Sequence, residues 1–187
     1  SARTHSFRPE AGYHLAGVIS KDKNLLLEAA KIFGEVSEHF PKHQLAADSR
    51  LQQGIIFNIS GKYKEAQKSF EKFAVAYPDH KEIDKVNYQL GMSLMEQQQW
   101  DKALGHLKEV AQKSSWRDEA LYQAAWCEKR KGDKTAAQKY YEQLLLNHLK
   151  SPFIDYAIIE LAELEFEAGE LESAVRRLEK LVELELN

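Results

Sequence analysis

The chain has 187 residues, room for one ordinary domain and too few for two comfortable ones. With 43% apolar and 29% charged residues it can bury a core, and its net charge of −3 gives no global case for a nucleic-acid or membrane-surface binder. A single cysteine, Cys127, excludes an internal disulfide framework and a cysteine-rich zinc module.

No apolar run reaches the roughly 20 residues of a membrane-spanning helix, so no transmembrane segment is expected. Residues 1–9 are read as an N-terminal extension without a basic-then-apolar signal layout. From residue 10 onward a repeat organises the chain, with units starting near 10, 47, 84, 118 and 155 in a single domain over 10–187. In chain order, a small residue, an alanine twelve positions on and a large apolar residue four further recur as Gly17–Ala29–Phe33, Gly54–Ala66–Phe70, Gly91–Ala103–Leu107, Ala125–Ala137–Tyr141 and Ala162–Ala174–Leu178. Each unit divides at a break into two helices: Asp22-Lys23-Asn24, Ser60-Gly61-Lys62, the weaker Gln97-Gln98-Gln99, Gly132-Asp133 and Gly169-Glu170. Ten helices of about 13–16 residues follow, with no strand-like alternation. Pro9, Pro41, Pro78 and Pro152 each lie shortly before a unit start, where a missing amide donor ends one helix or opens the next. Ser151-Pro152 reads as an N-cap and first-turn proline, with Asp155 favoured there by the helix dipole. The small residues are expected where paired helices cross closely, and the large residue one turn on fills the space beside them.

This pattern resembles the tetratricopeptide repeat over essentially residues 10–187. The small–alanine–aromatic signature with a helix-ending proline is carried by Gly17, Ala29, Phe33 and Pro41, and by Gly54, Ala66, Phe70 and Pro78; the third unit keeps Leu90-Gly91, Trp100, Ala103 and Leu107. Units three and four depart from it, with Ser115 and Leu149 in place of the proline. The unit lengths, attributed here to longer loops, and the run Phe70-x-x-Phe73-x-x-x-Tyr77-Pro78-x-His80 resemble the BamD/CpoB-like variant of bacterial envelope proteins. The resemblance implies an all-α, right-handed superhelical solenoid of about five helix-turn-helix repeats. It implies a concave surface that binds a peptide or helix of a protein partner, in a periplasmic or outer-membrane-associated setting, with a cytoplasmic one as the alternative.

A second apolar stripe runs along the first helix of the units, offset from the repeat motif: Leu51 and Ile55; Tyr88, Met92 and Met95; Tyr122 and Trp126; Tyr156, Ile159 and Phe166. Family geometry puts these along the inner groove, where aromatics and methionines suit an irregular apolar partner. Packing between repeats explains the same stripe equally well, and Tyr88, Tyr122, Trp126 and Tyr156 are the best groove candidates. Carboxylate-gripping repeat modules use lysine and asparagine there; His14, Val18, Leu51, Ile55, Tyr88 and Met92 argue against that mode and for an apolar helix or extended peptide. The last helix carries apolar residues on more than one stripe. Val182, Leu184 and Leu186 are therefore expected to contact another copy or further repeats, and homo-oligomerisation through terminal helices is the alternative function. Residues 155–187 carry a net −7, offset by +4 in the rest, and Lys129, Arg130, Lys131 and Lys134 cluster near the fourth turn.

Chemistry is not written in the motifs. There is no phosphate-binding loop and no HExxH; His39 and His43 are interrupted by Pro41. Glu160, Glu163, Glu165 and Glu167 read as a solvated acidic helix, and Cys127 as a packed thiol whose pKa Lys129 and Arg130 tend to lower. No catalytic, cofactor or metal residue is assigned, no nucleic acid is expected as partner, and the reading is of a non-enzymatic scaffold. The sequon Asn58-Ile59-Ser60 is read as chance.

Overall fold

The computed structural model describes residues 8–185, with side chains to residue 182. Most of the 1–9 extension, the side chain of Leu184 and all of Leu186 therefore lie outside the described residues. Ten α-helices and one short 3₁₀ turn (Lys23–Leu25) make up the secondary structure of the described part, with no strand. They are α1 (Pro9–Ile19), α2 (Leu26–His39), α3 (Ala46–Ile59), α4 (Tyr63–Ala76), α5 (Ile83–Glu96), α6 (Trp100–Glu109), α7 (Arg117–Lys131), α8 (Lys134–Asn147), α9 (Ile154–Glu167) and α10 (Leu171–Glu185). Two compact units divide the chain, residues 1–98 and residues 99–187.

The short turns inside the repeats end in the left-handed backbone region. Gly61, Gly132 and Gly169 take φ of 68°, 88° and 83°. In each, the following amide reaches back five residues: Lys62 to the Phe57 carbonyl, Asp133 to Glu128 and Glu170 to Glu165. This six-to-one closure favours glycine because a Cβ is strained at positive φ. Gln98 occupies the same conformation at φ 57° without that freedom, which is why the third break was faint in the sequence.

The turns between repeats share one build that single-residue punctuation did not reveal. Amides of His43, His80, Ser114 and Ser151 bond back three residues to Phe40, Tyr77, Ala111 and His148, and their own carbonyls accept from Ala46, Ile83, Arg117 and Ile154. Their side chains then accept from the amide two residues on, at 3.2–3.3 Å, through Nδ1 of His43 and His80 and Oγ of Ser114 and Ser151. Ser151 thus caps the loop at Phe153 instead of the helix, which starts at Ile154. Asp155 does sit in the first turn of α9.

The loops do not supply the extra unit length. Helices α2, α4 and α8 each run 14 residues, whereas α6 stops at 10, so the shorter third unit has lost a turn of its second helix. With α1 at 11 residues, two helices fall short of the expected 13–16. Val110 leaves the end of α6 in extended conformation, buried, its carbonyl held by the Arg117 guanidinium at 2.9 Å.

In the first unit the repeat motif closes tightly at Gly54. A Cβ there would lie 2.5 Å from Phe70 Cε1, and Phe70 is fully buried. Gly17 needs no such space: a Cβ there meets nothing within 4 Å. Helix α1 presents Gly12 and Ala16 instead, and Ala16 clusters with Ala29, Ala30, Phe33 and Ile56. Polar ties join successive first helices. Tyr13 on α1 donates to Asp48 on α3, which with burial pushes the phenol up to about 12. Asn58 on α3 donates to the Gln89 carbonyl on α5 at 3.2 Å and accepts from Ser93 at 2.7 Å, so the sequon asparagine is occupied within the fold. Around α4, Phe73 meets the rings of Tyr77 and His80 edge-on at 5.3 Å, and the Tyr77 hydroxyl donates to the Pro41 carbonyl.

Candidate interaction face on α7 and α9

The second apolar stripe behaves differently in the two units. In the first, Leu51, Tyr88 and Met95 are buried, at 1%, 9% and 6% exposure, and Ile55 and Met92 are half-buried. In the second, Tyr122 and Trp126 are half-buried, while Tyr156, Ile159 and Phe166 stand open at 58%, 41% and 64%. Open apolar side chains of this size, gathered on one face, characterise interaction surfaces.

Helix geometry assembles this face. Tyr122, Trp126 and Lys129 lie at i, i+4 and i+7 on α7, one side of the helix. Tyr122 stacks on Phe153 (centroids 5.2 Å, 26° between planes), meets Tyr156 at 6.4 Å and rests on Tyr141 of α8 at 5.7 Å. Trp126 is gripped by Trp100 of α6, edge-on at 5.7 Å, and by the Arg130 guanidinium 4.3 Å above its ring. Phe153, a loop residue, was missed in the sequence; the repeat register, which sets it level with Leu45 and Trp116, was the available signal.

Charge then braces the two helices. Lys129 Nζ reaches Glu160 Oε2 at 2.7 Å and Glu163 Oε2 at 3.1 Å; Lys134 pairs with Glu167 at 3.0 Å. Lys131 bridges Asp101 at 2.8 Å and Glu128 at 3.0 Å. Those carboxylates hold Lys131 protonated well above its ordinary range; for Lys129, partial burial opposes its two carboxylates, and the carboxylates prevail. The basic cluster is therefore committed internally, three lysines to carboxylates and Arg130 to a ring. Among the α9 glutamates, Glu165 departs from the solvated reading, buried and bound by Arg177, while Glu163 and Glu167 stay exposed and, like the half-buried Glu160, pair with lysines. Tyr141 is fully buried, and burial foremost, then the Glu160 charge, raise its pKa well above that of an ordinary phenol.

Cys127 is fully buried, and desolvation pushes its thiol up to about 12. Burial foremost, then the Glu128 charge, overrides the lowering that comes from Lys131 and not from Lys129 or Arg130, leaving a packing residue. His43 Nε2 lies 3.0 Å from Glu10 Oε1, and among the described residues no group of three metal-binding side chains forms. On α10, Leu171, Val175, Leu178 and Val182 are exposed.

A family model described as outer membrane lipoprotein, YfiO, matches residues 12–125, more than half of the chain. The chain belongs to the YfiO family. A tetratricopeptide-repeat model also matches residues 119–149 of this YfiO-family chain. No curated protein matches it in sequence. Among solved structures it is similar to MamA from Desulfovibrio magneticus RS-1, at 17% identity over 95% of this chain and 94% of that one with a TM-score of 0.77. It is also similar to YrrB, a tetratricopeptide-repeat protein with an unusual peptide-binding site, at 20% identity over 98% and 89% with a TM-score of 0.73. At such identity the likeness carries the fold: the all-α tetratricopeptide-repeat class, with about five helix-turn-helix repeats. A protein-interaction scaffold is the function class that this fold suggests, and no helix among the described residues is long and apolar enough to cross a membrane.

Proposed function

We propose that this chain is an adaptor of the bacterial envelope whose α7–α9 face binds an apolar helix or extended segment of another protein. The observation that carries the reading is Tyr156, Ile159 and Phe166, left open beside the half-buried Tyr122 and Trp126. A face pre-ordered by ring stacking and ion pairs loses little side-chain freedom on binding, which favours affinity. Membership of an outer-membrane lipoprotein family supports the envelope setting, and the peptide site of YrrB supports peptide capture by this type of fold. The fold class and the internally paired polar groups support a non-enzymatic role.

The α3–α5 stripe, from Leu51 through Ile55, Tyr88 and Met92 to Met95, serves mainly as packing in this reading. Self-association is the second reading, favoured by the exposed Leu171, Val175, Leu178 and Val182 on α10. The test is a Tyr156→Ala, Phe166→Ala double variant, which removes exposed side chains and leaves the fold intact. Partner recovery from envelope extracts should fall by about tenfold or more, as expected on losing two interface anchors. Undiminished recovery by a folded variant contradicts the proposal, and loss of a captured second copy moves it to self-association.

A further inference from the structure

We infer that the occupant of the α7–α9 face is a basic amphipathic helix, one whose apolar stripe is flanked or interrupted by Arg or Lys. The inference rests on the α7–α9 docking reading and adds the chemistry of the partner.

It starts from spacing. Tyr156, Ile159, Glu163 and Phe166 follow one another at intervals of three, four and three residues, the alternation of an a/d seam. All four are exposed, so α9 offers solvent one and a half heptads of a helix-pairing seam with a carboxylate at one of its central positions. A polar residue at such a position sets register and partner choice, because an apolar group opposite leaves its charge unanswered. The flanking positions are acidic too: Glu160 and Glu167 on one edge and Asp155 on the other.

Charge decides the sign of the partner. Within the unit, Lys129 and Lys134 are the cations that pair with Glu160, Glu163 and Glu167, and Lys129 is shared between two of them. Four carboxylates with two lysines leave the seam negative, and Glu163 keeps 58% of its side chain exposed. A helix with acidic flanks meets repulsion along the whole seam; one with basic flanks meets complementary charge beside apolar anchors. The surface already accommodates such a group, since Arg130 lies 4.3 Å over the Trp126 ring. Basic residues along an incoming helix find an aromatic face at Tyr156 and a carboxylate at Glu163, two helical turns apart.

The test uses the full chain and two labelled synthetic helices of about 18 residues, sharing one Leu/Phe stripe and differing only in Lys/Arg or Glu flanks. By fluorescence anisotropy the basic helix should bind about tenfold or more tighter at low salt, with the margin narrowing as salt is raised. Glu163→Lys, which sets three carboxylates against three lysines, should abolish the preference, and Tyr156→Ala should weaken both helices. Equal affinity for the two peptides, lost together on Tyr156→Ala, overturns the basic-partner inference and leaves the docking face standing. Binding of the basic helix that ignores Tyr156→Ala, binding of neither, or preference for the acidic helix overturns the inference.

Discussion

Single residues set the strength of this fold where backbone or burial leaves little choice. Gln98 sits at φ 57° where three other turns place glycine. Gln98→Gly should raise stability by about 0.5–1 kcal/mol, relief of left-handed strain exceeding the entropy that glycine adds to the unfolded chain; Gly132→Ala should lower it by a similar amount. Paired chemical denaturation curves measure both. Titration gives a second residue-scale expectation. Burial moves the Cys127 thiol from 9.0 up to about 12, and bonding to Asp48 with burial moves Tyr13 from 10.0 up to about 12. Both groups ionise first in the unfolded chain, so the stability they contribute is whole below pH 9 and drains away as pH rises toward 12. Alkaline unfolding followed by circular dichroism should show this loss, with a shallower slope in Tyr13→Phe; an unchanged slope counts against the Tyr13–Asp48 bond. The turn at Gln98 was only faint in the sequence because glutamine carries no turn signature, whereas Gly61, Gly132 and Gly169 announced their turns.

At the scale of helices, crossings were legible where small and large residues complement each other and misleading where they do not. Gly54 meets Phe70 as the repeat spacing requires, but Gly17 faces open space because α1 turns Ala16, not Gly17, into the cluster with Ala29, Ala30 and Phe33. Gly54→Ala should therefore cost about 1–3 kcal/mol through displacement of a fully buried ring, while Gly17→Ala should be neutral or stabilising. Thermal unfolding of the two variants separates them, and similar behaviour denies the crossing. Unit length was misassigned to loops because repeat spacing counts residues without saying which element holds them; the variable piece is the last turn of the second helix, missing from α6. The braces Lys129–Glu160–Glu163 and Lys134–Glu167 were equally hidden, since their partners stand 31 to 34 residues apart and only the stacking of repeats brings them together.

For the molecule as a whole, family and fold class could be read from periodic small residues and prolines, because stacked repeats restate the same packing problem every 34 to 37 positions. The site was less legible. An apolar stripe looks the same in sequence whether its neighbours cover it, as with Leu51 and Tyr88, or leave it open, as with Tyr156 and Phe166. The difference depends on which helices flank each position, information that spacing does not carry. The most direct measurement is site-specific photocrosslinking of the full chain in its native cells, with the reactive group at Ile159, at Val182 on α10, or at the highly exposed Val75 on α4. Capture of a different protein from Ile159, absent from Val75 and lost on Tyr156→Ala with Phe166→Ala, is the predicted result. Equal capture from Val75, or a second copy of the chain captured from Val182 with nothing from Ile159, contradicts it.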